Sequence, residues 1–110
     1  MSDTIKSVND NNFKTEVLES ETSVLVDFWA PWCAPCVGIG KRLEERSADY
    51  ASNLKIVKVN ADEAIETSVA YGVRGLPTLI LFKNGKAVDT RLGAMNTTRL
   101  DALLNEWSRA

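Results

Sequence analysis

Histidine is absent from all 110 residues of the sequence. This excludes the Ser–His and Cys–His pairs of nucleophilic catalysis, and it excludes metal sites built on imidazole. Any proton transfer near neutral pH must therefore use an Asp, Glu, Lys or Cys whose pKa the protein has shifted.

Cysteine is scarce, because Cys33 and Cys36 are the only two. One pair is too few for a disulfide scaffold, and one chain cannot supply the four thiolates of a structural zinc site. No apolar run approaches the ~20 residues of a membrane span. The segment Met1 to Val8 also lacks the apolar stretch of a signal peptide. These features predict a cytoplasmic protein, with a processed organellar form as the alternative.

An excess of positive charge is missing as well. The chain has 13 Lys and Arg against 15 Asp and Glu, a net charge of −2. A nucleic-acid-binding protein needs a concentrated basic face, so the composition argues against that class. With 45% hydrophobic and 25% charged residues, we expect one soluble domain over residues 1–110, and a monomer is the default expectation.

Apolar patterning predicts the element order βαβαβαββα. The predicted strands are Thr4–Val8, Ser23–Ala30, Leu54–Val59, Thr78–Phe82 and Lys86–Leu92. The early β–α alternation predicts parallel strands with crossover helices, and the Asn84-Gly85 hairpin adds an antiparallel edge. The fold class is therefore α/β, with a central mixed sheet flanked by helices on both faces.

Four helices are predicted between and after these strands. Asp10 or Asn11 is expected to cap the first, and Asp62 is expected to cap the third, which ends at Gly72. The second is expected over Cys36–Tyr50. The fourth opens at Thr97 or Thr98 and carries apolar residues at helical spacing: Leu100, Leu103, Leu104 and Trp107.

The segment Trp32-Cys33-Ala34-Pro35-Cys36 follows the apolar strand and opens the second helix. Helical residues three apart lie ~5–6 Å from each other, which suits a disulfide. The N–H groups and partial positive charge of a helix N-terminus stabilise a thiolate, so the pKa of Cys33 should fall. Cys36 can then attack a mixed disulfide formed at Cys33. Two core cysteines that merely lie close are the less favoured alternative.

Two charged residues interrupt strands predicted to be buried. Burial should raise the pKa of Asp27, which suits a group that takes the proton of Cys36 near pH 7. A purely structural hydrogen-bond acceptor is the alternative. Lys58 shares a strand face with Leu54 and Ile56. A partnership with Asp27 across adjacent strands explains this position, and a lysine that reaches past the strand end is the alternative.

Four segments, spread over nearly the whole chain, resemble the thioredoxin family: Asp27–Ala30, Trp32–Cys36, Tyr71–Thr78 and Gly93-Ala94. The resemblance implies a thioredoxin fold and a thiol–disulfide oxidoreductase that reduces target-protein disulfides, with Cys33 attacking and Cys36 resolving. It implies a redox-active disulfide. No bound cofactor is expected, because the chain has no Gly-rich nucleotide loop, and no metal is expected. A thioredoxin reductase, linked to NADPH or to ferredoxin, would recharge it. The family also assigns proton transfer to the residue matching Asp27 and pairs it with the lysine matching Lys58.

The resemblance further implies a cis peptide bond between Leu76 and Pro77. A cis Pro77 would pack beside the cysteines and leave the Leu76 backbone free to pair with an extended substrate. The alternative is a proline that merely starts a strand. Gly93 is expected to admit a partner backbone closely, or else to be an ordinary turn glycine.

Side chains next to the cysteines complete the predicted substrate surface. Trp32 is expected to be exposed and to give partners an apolar platform, together with Ala34 and Pro35. Trp29 is expected to support the site from the core.

The sequence departs from the usual family pattern at the start of the second helix. Ala34 stands where glycine is usual, and Val37 stands where lysine is common. Gly38 and Gly40 fall in a stretch where many relatives have an apolar residue and a helix-kinking proline. Since glycine weakens helices, we hypothesise that this pair replaces the kink and loosens the helix. These changes bear on the redox potential and the reductase partner.

Two other functions remain open at this level. One is an oxidising or isomerising protein on the same fold, which needs an oxidising compartment. The other is a non-catalytic interaction subunit that uses the Trp32, Pro77 and Gly93 surface to hold a partner. A Cys33→Ser change separates the last case, because scaffolding would survive it.

Overall fold

The computed structural model describes residues 5–110. Its strands are β1 (Lys6–Val8), β2 (Ser23–Trp29), β3 (Leu54–Asn60), β4 (Thr78–Lys83) and β5 (Lys86–Leu92). Its helices are a π-helix (Lys14–Leu18), α1 (Ala34–Tyr50), α2 (Ile65–Ala70) and α3 (Thr97–Arg109). The predicted element order is confirmed, although the first helix is a single short π-helix. Thr4, predicted to open the first strand, lies outside the described residues.

The sheet is mixed, as predicted, with the strand order β1-β3-β2-β4-β5. β3 pairs in parallel with β1 and β2, whereas β4 pairs antiparallel with both β2 and β5. The expected parallel crossover through the third helix is therefore wrong. α2 has six residues and rises only about 9 Å, too little to carry the chain back along a strand of about 20 Å. β4 consequently starts at the same end of the sheet at which β2 and β3 finish.

Helices cover both faces of the sheet and enclose two cores. Because strand side chains alternate, Val24, Val26 and Phe28 enter the core under the π-helix and α2. That core includes the ring cluster of Phe13, Tyr71 and Phe82, with centroids 5.0–5.5 Å apart. The opposite core lies under α1 and α3, and its buried residues include Leu25, Ile39, Leu43, Ile56 and Trp107. Asp27 shares strand parity with Leu25, so it faces this second core.

Two predicted helix caps are wrong. The π-helix begins after Phe13 with no side-chain cap, so neither Asp10 nor Asn11 caps it. Asp10 instead accepts hydrogen bonds from the Thr67 backbone N–H (2.9 Å), the Thr67 hydroxyl (2.6 Å) and the Glu66 N–H (3.3 Å). This carboxylate therefore caps α2, the role predicted for Asp62. α3 begins at Thr97, as predicted, and the Asn96 side chain accepts from the Arg99 N–H.

Within residues 5–110, no helix has the length and apolar character needed to cross a membrane.

Candidate active site

A disulfide joins Cys33 and Cys36 at the N-terminus of α1, with their Cα atoms 5.3 Å apart. Cys33 is the N-cap residue and has an extended backbone, and Pro35 lies in the first turn, where a missing N–H costs nothing. The Cys33 N–H donates to the Ala30 carbonyl, and the Cys36 N–H donates to the Cys33 carbonyl, both at 3.1 Å. The predicted placement of the pair at a helix start is confirmed.

Three chain segments converge on this disulfide. Ala30 packs with both cysteines, and Trp29 and Leu76 contact the same cluster. The Leu76–Pro77 peptide bond is cis, as predicted, and the Pro77 carbonyl accepts a hydrogen bond of 2.9 Å from the Gly93 N–H. The ends of β2 and β5 and the start of β4 meet here because β4 runs antiparallel to both neighbours.

Gly93 has a positive φ of 101°, a region that L side chains rarely adopt. A Cβ built there would meet no heavy atom within 4 Å. The backbone conformation therefore explains the glycine, and the open space leaves the close approach of a partner backbone as a prediction.

Trp32 is 70% exposed, which confirms its predicted surface position. Its Nε1–H donates to Asp62 Oδ2 at 2.9 Å, so the indole is held although it is open to solvent. Sequence reasoning missed this role of Asp62, because the two residues are 30 positions apart and a helix-start pattern gave Asp62 another explanation. Ala34 and Pro35, also predicted to contact substrate, are both exposed beside the disulfide.

Asp27 is 3% exposed in the strand that leads to the cysteines. Burial raises the pKa of this carboxyl to about 7, while the nearby positive charge of Lys58 acts in the opposite direction. Among the described residues, its Oδ1 atom has no hydrogen-bond partner. The predicted elevation of this pKa is confirmed, and desolvation is its cause.

Lys58 is the ladder neighbour of Asp27 across β2 and β3. Its ammonium group also lies 5.5 Å from the centroid of the Trp29 ring, within cation–π range. The two charged residues therefore interact through space, and Trp29 contacts both the lysine and the cysteine cluster. Trp29 is half-buried rather than part of a core, and its predicted supporting role stays a prediction.

A cavity of about 270 Å³ lies beneath the disulfide, between α1 and the sheet. Asp27, Cys36 and Lys58 all line it, together with Gly40 and Trp29. The second cysteine and the buried carboxyl therefore share one space. Among residues 5–110, no group of three or more His, Cys, Asp or Glu side chains is placed to hold a metal ion.

Comparison with known proteins decides the family. The thioredoxin family model matches residues 4–106. The chain belongs to the thioredoxin family. A thioredoxin from Acidithiobacillus ferridurans is 49% identical over 105 residues, which are 96% of this chain and 97% of that protein. Thioredoxin C-2 from Corynebacterium nephridii is 46% identical over 106 residues, covering 96% and 98% of the two chains. A thioredoxin from Pseudomonas aeruginosa is 46% identical over 105 residues, covering 96% and 97%.

Membership of the thioredoxin family, together with the disulfide at the start of α1, establishes the activity. The protein is a thiol–disulfide oxidoreductase that acts as a protein-disulfide reductase, and Cys33 and Cys36 form its redox-active pair. Three of this chain's departures from the family pattern are on the surface: Val37 is 61% exposed, and Gly38 and Ala34 are exposed beside it, whereas Gly40 is half-buried.

Proposed function

We propose that Cys33 begins the reaction and Cys36 completes it. The Cys33 thiolate attacks one sulfur of a target disulfide, forms a mixed disulfide and releases the other target sulfur as a thiolate. Cys36, as thiolate, then attacks Sγ of Cys33, releases the second target thiolate and leaves the Cys33–Cys36 disulfide. Two electrons pass to the target, and both released thiolates are protonated. The position of Cys33 as N-cap of α1 carries this assignment, since the helix N-terminus stabilises its thiolate.

Asp27 is the base for the second step. The Cys36 thiol must lose a proton before it attacks, and Asp27 lines the same cavity with a pKa of about 7. A carboxyl with that pKa exchanges a proton readily near neutral pH, directly or through one water. Lys58 supports this role, because its positive charge favours the ionised form of Asp27.

The substrate lies along the surface formed by Trp32, Leu76, Pro77 and Gly93, with Ala34 and Pro35 at the cysteine loop. The ladder pairs of β4 begin at Thr78, so the backbone of Leu76 lies outside them, next to the disulfide. An extended target segment that pairs with Leu76 by strand addition would place its own cysteine beside Cys33. The exposed Trp32 ring gives the target apolar contact area.

Electrons reach the oxidised pair from a thioredoxin reductase, linked to NADPH or to ferredoxin, and leave to disulfide-containing target proteins. The cytoplasm is the proposed compartment, because its reducing glutathione and thioredoxin pools suit a reductant. These proposals are supported by family membership.

Trapping of the mixed disulfide tests the order of the two cysteines. We expect Cys36→Ser, mixed with a disulfide-bonded protein such as insulin, to accumulate a covalent complex that dithiothreitol cleaves by reduction. The matched variant Cys33→Ser should accumulate far less, because Cys36 is the less exposed of the two residues and lies within the first turn of the helix. Equal trapping by the two variants would contradict the proposed order.

A further inference from the structure

The two glycines of α1 open onto different cavities. Gly40 lines the 270 Å³ cavity that holds Asp27 and Cys36. Gly38 lines a separate groove of about 390 Å³ on the other side of the helix, next to Met95. A Cβ atom built on either glycine meets no heavy atom within 4 Å. The first atom of a side chain at either position would therefore meet open space.

The charged groups of the first cavity extend from its floor to its rim. Asp27 on β2 is buried beside Cys36 of α1, and its ladder neighbour Lys58 on β3 is half-buried. Lys41 and Glu44 of α1 line the same cavity and are exposed to solvent. On the other side of Asp27, its ladder partner on β4 is the apolar Leu79. Among the described residues, the charges that share a space with Asp27 therefore come from α1 and β3.

A buried base needs a route to solvent. In each catalytic cycle Asp27 gains one proton from Cys36 and must lose it before the next cycle begins. The cavity is several times larger than the roughly 30 Å³ that a water molecule occupies, and its polar lining groups supply hydrogen-bond partners. It also reaches from Asp27 to the exposed side chains of Lys41 and Glu44.

We propose that this cavity is the water-filled passage through which Asp27 returns its proton to solvent, and that the missing side chain at Gly40 keeps the passage open. The inference rests on the proposed role of Asp27 and assigns a positioning role to Gly40. The proton balance is simple: the Cys36 thiol gives its proton to the Asp27 carboxylate, and Asp27 gives it to water in the passage. Lys41 and Glu44 mark the solvent end.

Gly40→Leu tests the proposal, with Gly38→Leu as the matched control. Both variants gain the same helix propensity, but only leucine at position 40 fills the Asp27 cavity. ¹³C NMR of the aspartate carboxyls follows the Asp27 titration in the oxidised protein, with its signal assigned by its loss in Asp27→Asn. We expect Gly40→Leu to raise the pKa of Asp27 by about one pH unit, because it removes water from the carboxylate, and Gly38→Leu to leave it unchanged.

The kinetic readout is the reaction of each reduced variant with the aromatic disulfide dithiobis(nitrobenzoate). The attack by Cys33 releases one nitrothiolate and the attack by Cys36 releases the second, so absorbance resolves the two steps. We expect Gly40→Leu to slow the second release by about tenfold at pH 6, as follows from a carboxyl pKa one unit higher. The first release should keep its rate. Gly40→Ala, which fills less of the cavity, should show a smaller shift in the same direction.

The outcomes separate this inference from the proposed function. If Asp27 titrates alike in Gly40→Leu, Gly40→Ala, Gly38→Leu and the parent, the passage is not at Gly40 and the inference is overturned. If Asp27→Asn releases the second nitrothiolate at the parent's rate at every pH, Asp27 is not the base. The proposed function then fails, and the inference fails with it.

Discussion

At the residue scale, Asp27 lies in β2 between Val26 and Phe28, both fully buried. A carboxyl whose pKa is higher in the folded than in the unfolded chain binds more protons when folded. Stability therefore falls as the pH rises from the ordinary aspartate value of 3.8 to about 7 and stays low above that pH. The chain gives up stability at neutral pH to keep a titratable group beside Cys36.

Replacement of Asp27 by Asn should stabilise the protein at pH 8. The rise of the pKa from 3.8 to about 7 corresponds to roughly 4 kcal/mol, an upper value because the amide is also costly to bury. The gain should vanish near pH 4, where the folded parent is already protonated. Urea unfolding at pH 4 and pH 8 measures it, with the exposed Asp49→Asn as control. A gain of equal size at both pH values would contradict this origin.

Lys58 offers a second prediction at this scale. Because its charge favours ionised Asp27, Lys58→Met should raise the pKa of Asp27 further above its present value, as carboxyl NMR would show. Lys55→Met is the matched control, since Lys55 lies on the same strand but binds Glu16 on the opposite face. A pKa of Asp27 that responds to both variants alike would show that β3 as a whole, rather than the Lys58 charge, sets it.

At the element scale, α1 carries two glycines that its backbone does not require. Neither has a positive φ, and a Cβ at either meets nothing within 4 Å. Gly38→Ala and Gly40→Ala should each stabilise the protein by roughly 0.5–1 kcal/mol, and they should slow amide exchange at residues 37–41 relative to 43–48. Denaturant unfolding measures the change in stability.

Gly85→Ala is the contrasting control for these two variants. Its φ is +79°, and an added Cβ would lie 2.9 Å from the Leu18 carbonyl oxygen, so this change should destabilise. If Gly38→Ala or Gly40→Ala lowered the stability instead, the native fold would require a flexible start of α1.

The cap of α2 gives a prediction about a contact between distant parts of the chain. Asp10→Ala removes the acceptor of three hydrogen bonds from Glu66 and Thr67, so it should lower the melting temperature. These bonds hold the pKa of Asp10 below its ordinary value. Their contribution is therefore full above about pH 4 and is lost as the pH falls through the folded-state pKa.

Asp62→Ala tests whether Asp62, the residue first predicted to cap α2, contributes to the stability of that helix. It should leave α2 intact and change the fluorescence of Trp32, whose Nε1–H it leaves without its acceptor. If Asp62→Ala lowers the melting temperature as much as Asp10→Ala, the assignment of the α2 cap to Asp10 is wrong.

The limits of sequence reasoning are clear from these elements. The strands could be predicted from apolar runs, and the cysteine site could be predicted from a local motif at a helix start. The helix caps could not be predicted, because Asp10 and Thr67 are 57 residues apart and local spacing offered nearer partners. The antiparallel direction of β4 was not predicted, because it depends on the length of α2. The apolar pattern did not fix where that helix begins and ends. Lys58 over Trp29 is likewise a contact between strands that no local pattern specifies.

At the scale of the whole molecule, the antiparallel β4 brings the active-site segments together. It places the Leu76–Pro77 bond and Gly93 beside the helix start that holds the cysteines. The family departures Ala34 and Val37 lie on the exposed side of this junction. They therefore change the surface that a target or a reductase meets.

The reduction potential of the Cys33–Cys36 pair tests the assignment as a reductase most directly. It is measured from the tryptophan fluorescence of Trp29 and Trp32 in dithiol redox buffers. We expect a potential clearly below the cytosolic glutathione pool, which lies at about −220 to −260 mV by biochemical extraction. A potential well above that range would mean that the Cys33–Cys36 disulfide is readily reduced and that the protein acts as an oxidant or isomerase. That result would contradict the assignment as a reductase.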